Sequence, residues 1–359
     1  MVTIIIPTAS RPMMLRTALQ SIAEQTARHQ IDRVYVSENG GNRESEQVCA
    51  EFPTLPVTYV FRVPMKPLEH AKVLLEDFLG ESPYTAYLHD DDWWGPSHLK
   101  NALEALESRP EVGTYSASHF IVSGEISKLN CCDNVFPWFG SSYAPMSSMW
   151  ELSRLNVLMA QLLNTMAHYS TLVVRTEILR KAAYVFDLGN PFDNDRMLIF
   201  ALSTFAPFLY NPMPEVFIRN HAAQDCSSFA WRKQMQHQCE TTRWMVEASG
   251  KSWEMIATCF AKRLTLCPTE AIPTLRGLAA HQWSLPELFR NVKSPLGLNE
   301  ECVRKLRHIF TAPRSRRSEK NLHRFSPPKS YVPRKNWSLE DQTAAFELTT
   351  SLENMAAIR

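Results

Sequence analysis

Three consecutive carboxylates, Asp90, Asp91 and Asp92, stand directly after a short apolar run, residues 84–88, in the stretch YTAYLHDDDWWGPSHL. Adjacent carboxylates repel one another, and near a buried strand end each is costly unless a positive charge sits among them. A divalent cation answers that need. Hard ions such as Mg²⁺ or Mn²⁺ take carboxylate oxygens and keep positions for waters and substrate phosphates. The plainer reading is a solvated acidic loop or a helix N-terminus. The position just past an apolar strand favours a ligand site, because open α/β sheets bind ligands at the carboxyl ends of their strands.

Two further groups carry chemistry. In NPFDNDRMLIF, residues 190–200, Asp193 reads as an N-cap of the apolar helix that follows, and Asp195, one turn in, is better placed to project into a cleft. Arg219, Asn220 and His221 close a short strand at residues 216–218. His221 is either a surface loop histidine or an imidazole available as an extra ligand to Mn²⁺.

The elements that must hold these residues alternate. Residues 2–6 form a β-branched run, the signature of a strand buried on both faces, and Pro7 to Pro12 break it before Leu15, Ala18, Leu19 and Ile22 recur at helical spacing. A second strand (34–36) ends in Ser37, Glu38, Asn39 and two glycines, a polar helix spans about 42–51, and a third strand covers 57–61. A helix at 68–79 leads into the 84–88 strand, and further strands are expected at 112–115, 119–122 and 169–174. Met149, Leu152, Leu155, Leu158, Met159 and Leu162 predict a helix within 147–166 packed on the sheet. The alternation predicts an α/β fold with a mainly parallel, Rossmann-like sheet and helices on both faces. The polar loops after the first, second and fourth strands then share one edge, a crevice suited to a nucleotide. Neither GxGxxG nor GxxxxGK[ST] is present, so it is neither a dinucleotide nor a P-loop site.

Composition sets the bounds. The 359 residues allow two domains, 45% hydrophobic and 21% charged residues are ordinary for a globular protein, and a net charge of +1 argues against a general grip on nucleic acid. Eight cysteines without a CxxC pair read as reduced thiols of a cytosolic protein, and no apolar stretch reaches the length of a bilayer span. The opening MVTIIIP is too short for a signal peptide, so a cytoplasmic location is expected, with any membrane contact peripheral, at the inner face. From residue 228 the pattern turns helical to 310, residues 311–337 form a basic, proline-rich linker, and 338–359 form a terminal helix with an apolar stripe. The linker suits anionic lipid heads, a partner or a solvated tail, and the terminal stripe must dock on this chain or on a second copy as a homo-oligomer.

Together, VTIIIPTASRPMMLRTALQSIAEQT, VSENGG and YLHDDDWWGPSHL resemble glycosyltransferase family 2, whose fold is GT-A and whose chemistry is inverting. The resemblance covers about residues 1–225 and implies a catalytic domain over 1–227, with a nucleotide-binding half at 1–118 and an acceptor half at 119–227. It implies that Pro7, Thr8, Arg11 and Glu38 hold the nucleoside, that Asp90 faces the ribose, that Asp91 binds the metal and that Asp92 lies near the metal and donor sugar, with Asp90 and Asp92 as the alternative ligand pair. Where the family carries Arg-Asn this chain has Lys72 and Val73, so Lys72 is the candidate for the base or a phosphate. His168 and Tyr169 match the sugar-pocket position, and His221 the metal or pyrophosphate. Asp195 matches the catalytic base, with Asp193 second. The implied activity is metal-dependent (Mn²⁺ or Mg²⁺) transfer from a nucleotide sugar, UDP-linked by the family's commonest usage, to a glycan or lipid-linked acceptor in bacterial surface polysaccharide synthesis. The rival readings are a non-catalytic sugar-nucleotide or glycan-binding protein and a nucleotidyltransferase; the latter lacks the Gly-rich basic loop after Ile6 that a triphosphate needs.

Overall fold

A computed structural model describes residues 1–80, 82–123, 128–132, 149–154, 157–158, 161, 167–188, 194–221, 241, 244–245 and 247–250. The expected linker, the terminal helix, nearly all of the C-terminal helical region and Asp193 lie outside the described residues. Within them the chain builds one ten-stranded sheet between helices.

The first half follows the alternation in the sequence. Strand β1 (Val2–Thr8), helix α1 (Pro12–Ala23), β2 (Ile31–Asn39), α2 (Glu44–Ala50), β3 (Val57–Arg62), α3 (Pro67–Phe78) and β4 (Tyr84–Tyr87) succeed one another. β1 lies between β2 and β4, β3 lies outside β2, and all three pairings are parallel. Alternation at β1 sends Val2, Ile4 and Ile6 into a core with α1 and α2, and Ile5 into a second core with α3. Each such isoleucine contributes about 1.5–3 kcal/mol by leaving water. Pro12 starts α1, where its missing N–H is no loss.

Beyond the aspartates come β5 (Trp93–Trp94), α4 (His98–Ser108), β6 (Thr114–Ser123), β7 (Lys128–Cys132), β8 (Trp150–Leu152), β9 (Leu172–Arg175), α5 (Thr176–Ala182), α6 (Asn194–Phe205) and β10 (Phe208–Asn220). The main strand order is β3-β2-β1-β4-β9-β6-β10-β5. Here the sheet departs from the parallel pattern. β9 runs antiparallel between β4 and β6, whereas β6 and β10 are parallel. Arg175, at the end of β9, locks the insertion by donating to the carbonyls of Val112 (2.8 Å) and Leu106 (2.6 Å), the latter near the C-terminus of α4, where a cation is favoured.

Four local expectations change. The strands expected at 112–115 and 119–122 are one strand, β6, and the short strand at 216–218 belongs to the thirteen-residue β10. Trp150 to Leu152, read as helical from their spacing, form β8 because pairing with the edge of β10 supplies their backbone partners. Residues 169–171 form a 3₁₀ turn ahead of β9, tied by Thr171 Oγ1 donating to the carbonyl of His168 at 2.7 Å. Among the described residues no helix is long and apolar enough to cross a membrane.

Candidate active site

The carboxyl ends of β1, β2 and β4 share one edge because the strands are parallel, and their loops meet there. Pro7 and Thr8 lie in register with Ser37 and Glu38. At the next turn Ser10 adopts a left-handed φ of 56° and Gly41 a φ of 101°; a Cβ on Gly41 would sit 2.3 Å from Ser10 Oγ and 2.9 Å from Glu38 Oε1. The two loops therefore interlock only around a glycine.

Thr8 Oγ1 donates to Asp90 Oδ2 at 2.6 Å, Arg11 Nε donates to the same oxygen at 3.0 Å, and Arg11 Nη2 lies 2.7 Å from Asp90 Oδ1. Arg11 Nη1 reaches Asp91 Oδ2 at 3.2 Å. From the far end of the sheet His221 Nε2 approaches that oxygen at 3.0 Å, while Arg219 donates its backbone N–H to Asp92 Oδ1 and its Nε to the Asp91 carbonyl, both at 2.9 Å. Ser170 Oγ donates to Asp92 Oδ2 at 2.5 Å, and His168 Nδ1 lies 3.4 Å from it. The structure thus gathers Thr8, Arg11, the three aspartates and His221 into one cluster.

All three aspartates are buried, yet their charges diverge. Burial pushes Asp90 up to about 7, with Arg11 and Thr8 pulling against it and Asp91 adding to it. Burial also raises Asp92 well above the usual range, the charge of Asp91 adding to it and Ser170 and Arg219 opposing. Asp91 resists the same desolvation, because His89, Arg11, His221 and His168 hold it below the ordinary carboxylate value. One firm anion therefore stands at the centre of the turn. Burial pushes His89 down to about 3, helped by His168 and Arg11, and it lowers His168 against the pull of Asp195 and Asp91.

The donor set fits a divalent cation. Asp91 pairs an ionised oxygen with the imidazole of His221, and the ligand atoms of His89, Asp92 and His168 lie within 4.8 Å of one another. A mixture of carboxylate and neutral imidazole suits Mn²⁺ better than Mg²⁺, which prefers oxygen throughout.

Asp195 lies in the first turn of α6, where its Oδ1 accepts from the Arg196 N–H at 2.7 Å. Its charge reaches His168 and Tyr169, raising both against or with their burial, so it belongs to the neighbourhood of Asp92. Glu38 is fully buried, accepting from Ser45 Oγ at 3.1 Å and from the Tyr59 hydroxyl. Lys72 is not brought to the cluster: its ammonium donates to Asp187 at 2.5 Å and lies 3.7 Å from Glu76. Ser170, Arg219 and His89 are the residues that sequence reasoning left without a role; only His89 and Arg219 carried a signal, by adjoining the triplet and His221.

Residues 3–128 match the sequence profile of glycosyl transferase family 2. Among solved structures the chain is similar to residues 1–349 of TarS from S. aureus in complex with UDP-GlcNAc, at 14% identity over 81% of this chain and 79% of that one, with a TM-score of 0.55. It is also similar to a longer TarS structure from S. aureus, at 13% identity over 81% of this chain and 47% of that one, with a TM-score of 0.53. No curated protein matches the chain. The glycosyl transferase family 2 match therefore falls on residues 3–128, the part of the chain that carries the carboxylate turn, and the mixed sheet has the GT-A fold.

Proposed function

We propose that the chain is a metal-dependent, inverting glycosyltransferase that takes a sugar from a UDP-linked donor and places it on a glycan or lipid-linked acceptor in bacterial surface polysaccharide synthesis, working at the cytoplasmic face of the membrane. The observation that carries the reading is the convergence of Arg11, Asp91, Asp92 and His221 from three separate parts of the chain on one buried turn. The likeness to a TarS structure that holds UDP-GlcNAc supports the choice of donor. Residues 1–118 serve as the nucleotide-binding half and 119–227 as the acceptor half.

In this reading Pro7, Thr8, Arg11 and Glu38 receive the nucleoside and Asp90 the ribose. Asp91 and His221, with Asp92, hold Mn²⁺ or Mg²⁺, which supplies neutralisation of the departing diphosphate, the kind of charge stabilisation that usually dominates catalysis. Arg11, already facing Asp90 and Asp91, adds positive charge on the same side. Asp195 takes the proton of the acceptor hydroxyl on the opposite face of the sugar, so that the new bond forms as the old one breaks and the anomeric centre inverts. Lys72, drawn to Asp187, has no part in this.

Thermal unfolding in a panel of nucleoside diphosphates, with and without Mn²⁺, tests the reading. A ligand at about a hundred times its dissociation constant adds about 2.7 kcal/mol. Stabilisation by UDP only with metal is expected. A protein indifferent to every nucleotide in both conditions would remove the donor site, and binding without donor hydrolysis or transfer would favour a non-catalytic binder.

A further inference from the structure

We infer that Glu215 is a positioning residue for the metal side of the site, acting through a bulge in β10; the inference rests on the function proposed above. β10 and β6 run in step from Phe208 opposite Thr114 to Asn211 opposite Ala117. Then Pro214 faces Ser118 and Val216 faces His119. Residues 212, 213 and 215 therefore have no counterpart on β6, and the strand is re-aimed just before the residues that touch the aspartate turn.

Glu215 holds that bulge from inside. Its carboxylate is 5% exposed and accepts from four groups: Asn101 Nδ2 at 2.6 Å and Asn211 Nδ2 at 2.7 Å on Oε1, the Tyr115 hydroxyl at 2.7 Å and His98 Nδ1 at 3.1 Å on Oε2. Asn211 Nδ2 also donates to the Tyr115 hydroxyl, and its Oδ1 accepts from the Met213 N–H at 3.0 Å, which ties the first part of the bulge to the same centre. The Glu215 carbonyl accepts from the Gly95 N–H at 2.7 Å, so the segment that leaves the aspartate turn is bound to the same residue; a Cβ at Gly95 would sit 3.1 Å from that oxygen. A carboxylate with this many buried donors fixes one geometry, since any displacement leaves several of them unpaired.

What lies beyond the bulge is the site. Val216 and Phe217 pair with Trp94 and Trp93, Arg219 binds Asp92 and the Asp91 carbonyl and covers the Trp93 ring with its guanidinium 5.0 Å from the centroid, and His221 reaches Asp91. Arg219 and His221, which touch the aspartates, follow Glu215 by four and six residues. The register that Glu215 sets is therefore the register in which His221 meets Asp91.

The test measures Mn²⁺ affinity in the presence of UDP, by electron paramagnetic resonance of the free ion, for the wild type, Glu215→Gln, Tyr115→Phe and Leu55→Ala. Glu215→Gln turns an accepting oxygen into a donor that faces donors, Tyr115→Phe removes one donor, and Leu55→Ala loosens a core position on the α2 to β3 connection. Outer-shell substitutions of this kind weaken metal affinity by about 10–100-fold. A loss of about tenfold or more in Glu215→Gln, a smaller loss in Tyr115→Phe and none in Leu55→Ala at a comparable fall in Tm is the expected result. Unchanged affinity in Glu215→Gln, or an equal loss in Leu55→Ala, would overturn the inference while leaving the proposed function standing. A wild type that binds no UDP with Mn²⁺ would overturn both. Should Glu215→Gln not fold, Tyr115→Phe decides.

Discussion

The two sides of the site edge are satisfied in different ways. On the side of β1 and β2 every carboxylate has its partners at hand: Asp90 has Thr8 and Arg11, Glu38 has Ser45 and Tyr59, and even Ser37 is held between Arg62 Nε at 2.8 Å and His70 Nε2 at 2.9 Å. On the side of β6 and β9, the hydroxyls of Tyr169 and Ser118 and Nδ1 of His119 are buried without a hydrogen-bond partner among the described residues. The proposed nucleotide side is thus preorganised by hydrogen bonds and by the Arg11–Asp90 ion pair, and on the proposed acceptor side several buried polar atoms have no partner among the described residues. Preorganisation lowers the cost of binding the same ligand in each cycle, whereas buried polar atoms without a partner among the described residues already bear their desolvation.

The proposed base breaks the comparison most sharply, because it gives the acceptor side the chemistry. Asp195→Asn is expected to lower turnover by about 10²–10⁴-fold, the range for general-base catalysis, while UDP binding stays within a factor of two or so of the wild type. Donor binding followed by calorimetry and transfer followed by product release separate the two. Full activity in this variant would move the base elsewhere.

Arg11 tests the nucleotide side. Removing one partner of a buried ion pair costs about 3–5 kcal/mol because it strands the other charge, and Arg11 is 28% exposed, so Arg11→Met is expected to lose somewhat less, about 2–3 kcal/mol, by chemical denaturation. Part of that loss should return on adding Mn²⁺, since a cation then takes the place of the guanidinium beside Asp91. A variant as stable as the wild type would mean that the carboxylates are neutralised in some other way.

This contrast marks where the sequence was readable. The strand and loop that deliver Thr8 and Arg11, the β2 end that delivers Glu38, and the aspartate triplet are local features, each announced by an apolar run followed by polar residues. Ser170 and Arg219 are not local: their partner Asp92 lies 78 and 127 positions away, and nothing in the type or spacing of a serine marks it for a carboxylate that distant. The same limit explains β9, whose three apolar residues, Leu172 to Val174, carry no sign of direction and whose antiparallel sense comes only from β4 and β6. β10 runs well before the readable strand at 216–218 because its bulge admits two prolines: Pro212 has no counterpart on β6, and Pro214 sits between two register shifts. Lys72 shows a different limit: its place in the sequence fits a base contact, and in the structure its flexible ammonium, on a half-exposed helix face, lies against the carboxylates of Asp187 and Glu76.

A pH series reaches the nucleotide side through His70. Arg62 Nε can only donate to Ser37 Oγ, so the Ser37 proton points to His70 Nε2, which accepts as a neutral imidazole. Burial, with Arg62 adding to it, pushes His70 down to about 4. The folded state then binds its proton later than the unfolded chain does, so stability is complete above the ordinary histidine value and falls as pH drops from about 6.5 towards 4. Burial likewise lowers His89 and His119 to about 3, so the wild type loses stability to all three. His70→Gln keeps an acceptor for Ser37 and removes one proton from the balance. Its stability should fall less steeply by up to about 1.4 kcal/mol per pH unit between pH 6 and 5. Parallel curves would mean that His70 is protonated in the fold and that the Ser37 proton points elsewhere.

The smallest expected effect is the finest test of the comparison, because it sets two neighbours in one 3₁₀ turn against each other. Ser170 donates to Asp92 at 2.5 Å and accepts from the His89 N–H at 3.1 Å, so Ser170→Ala strands a buried carboxylate oxygen and a backbone donor, a loss of about 1–3 kcal/mol. The Tyr169 hydroxyl, buried beside it with no partner among the described residues, already bears its desolvation, and burial with the charge of Asp195 keeps it protonated. Removing it in Tyr169→Phe should leave stability within about 0.5 kcal/mol or raise it slightly. Equal losses in the two variants would show that Tyr169 is as fully engaged as Ser170, and the acceptor side would then be as preorganised as the nucleotide side. If instead Tyr169→Phe is neutral for stability and raises KM for the acceptor alone, the unused hydroxyl is where the incoming group is held.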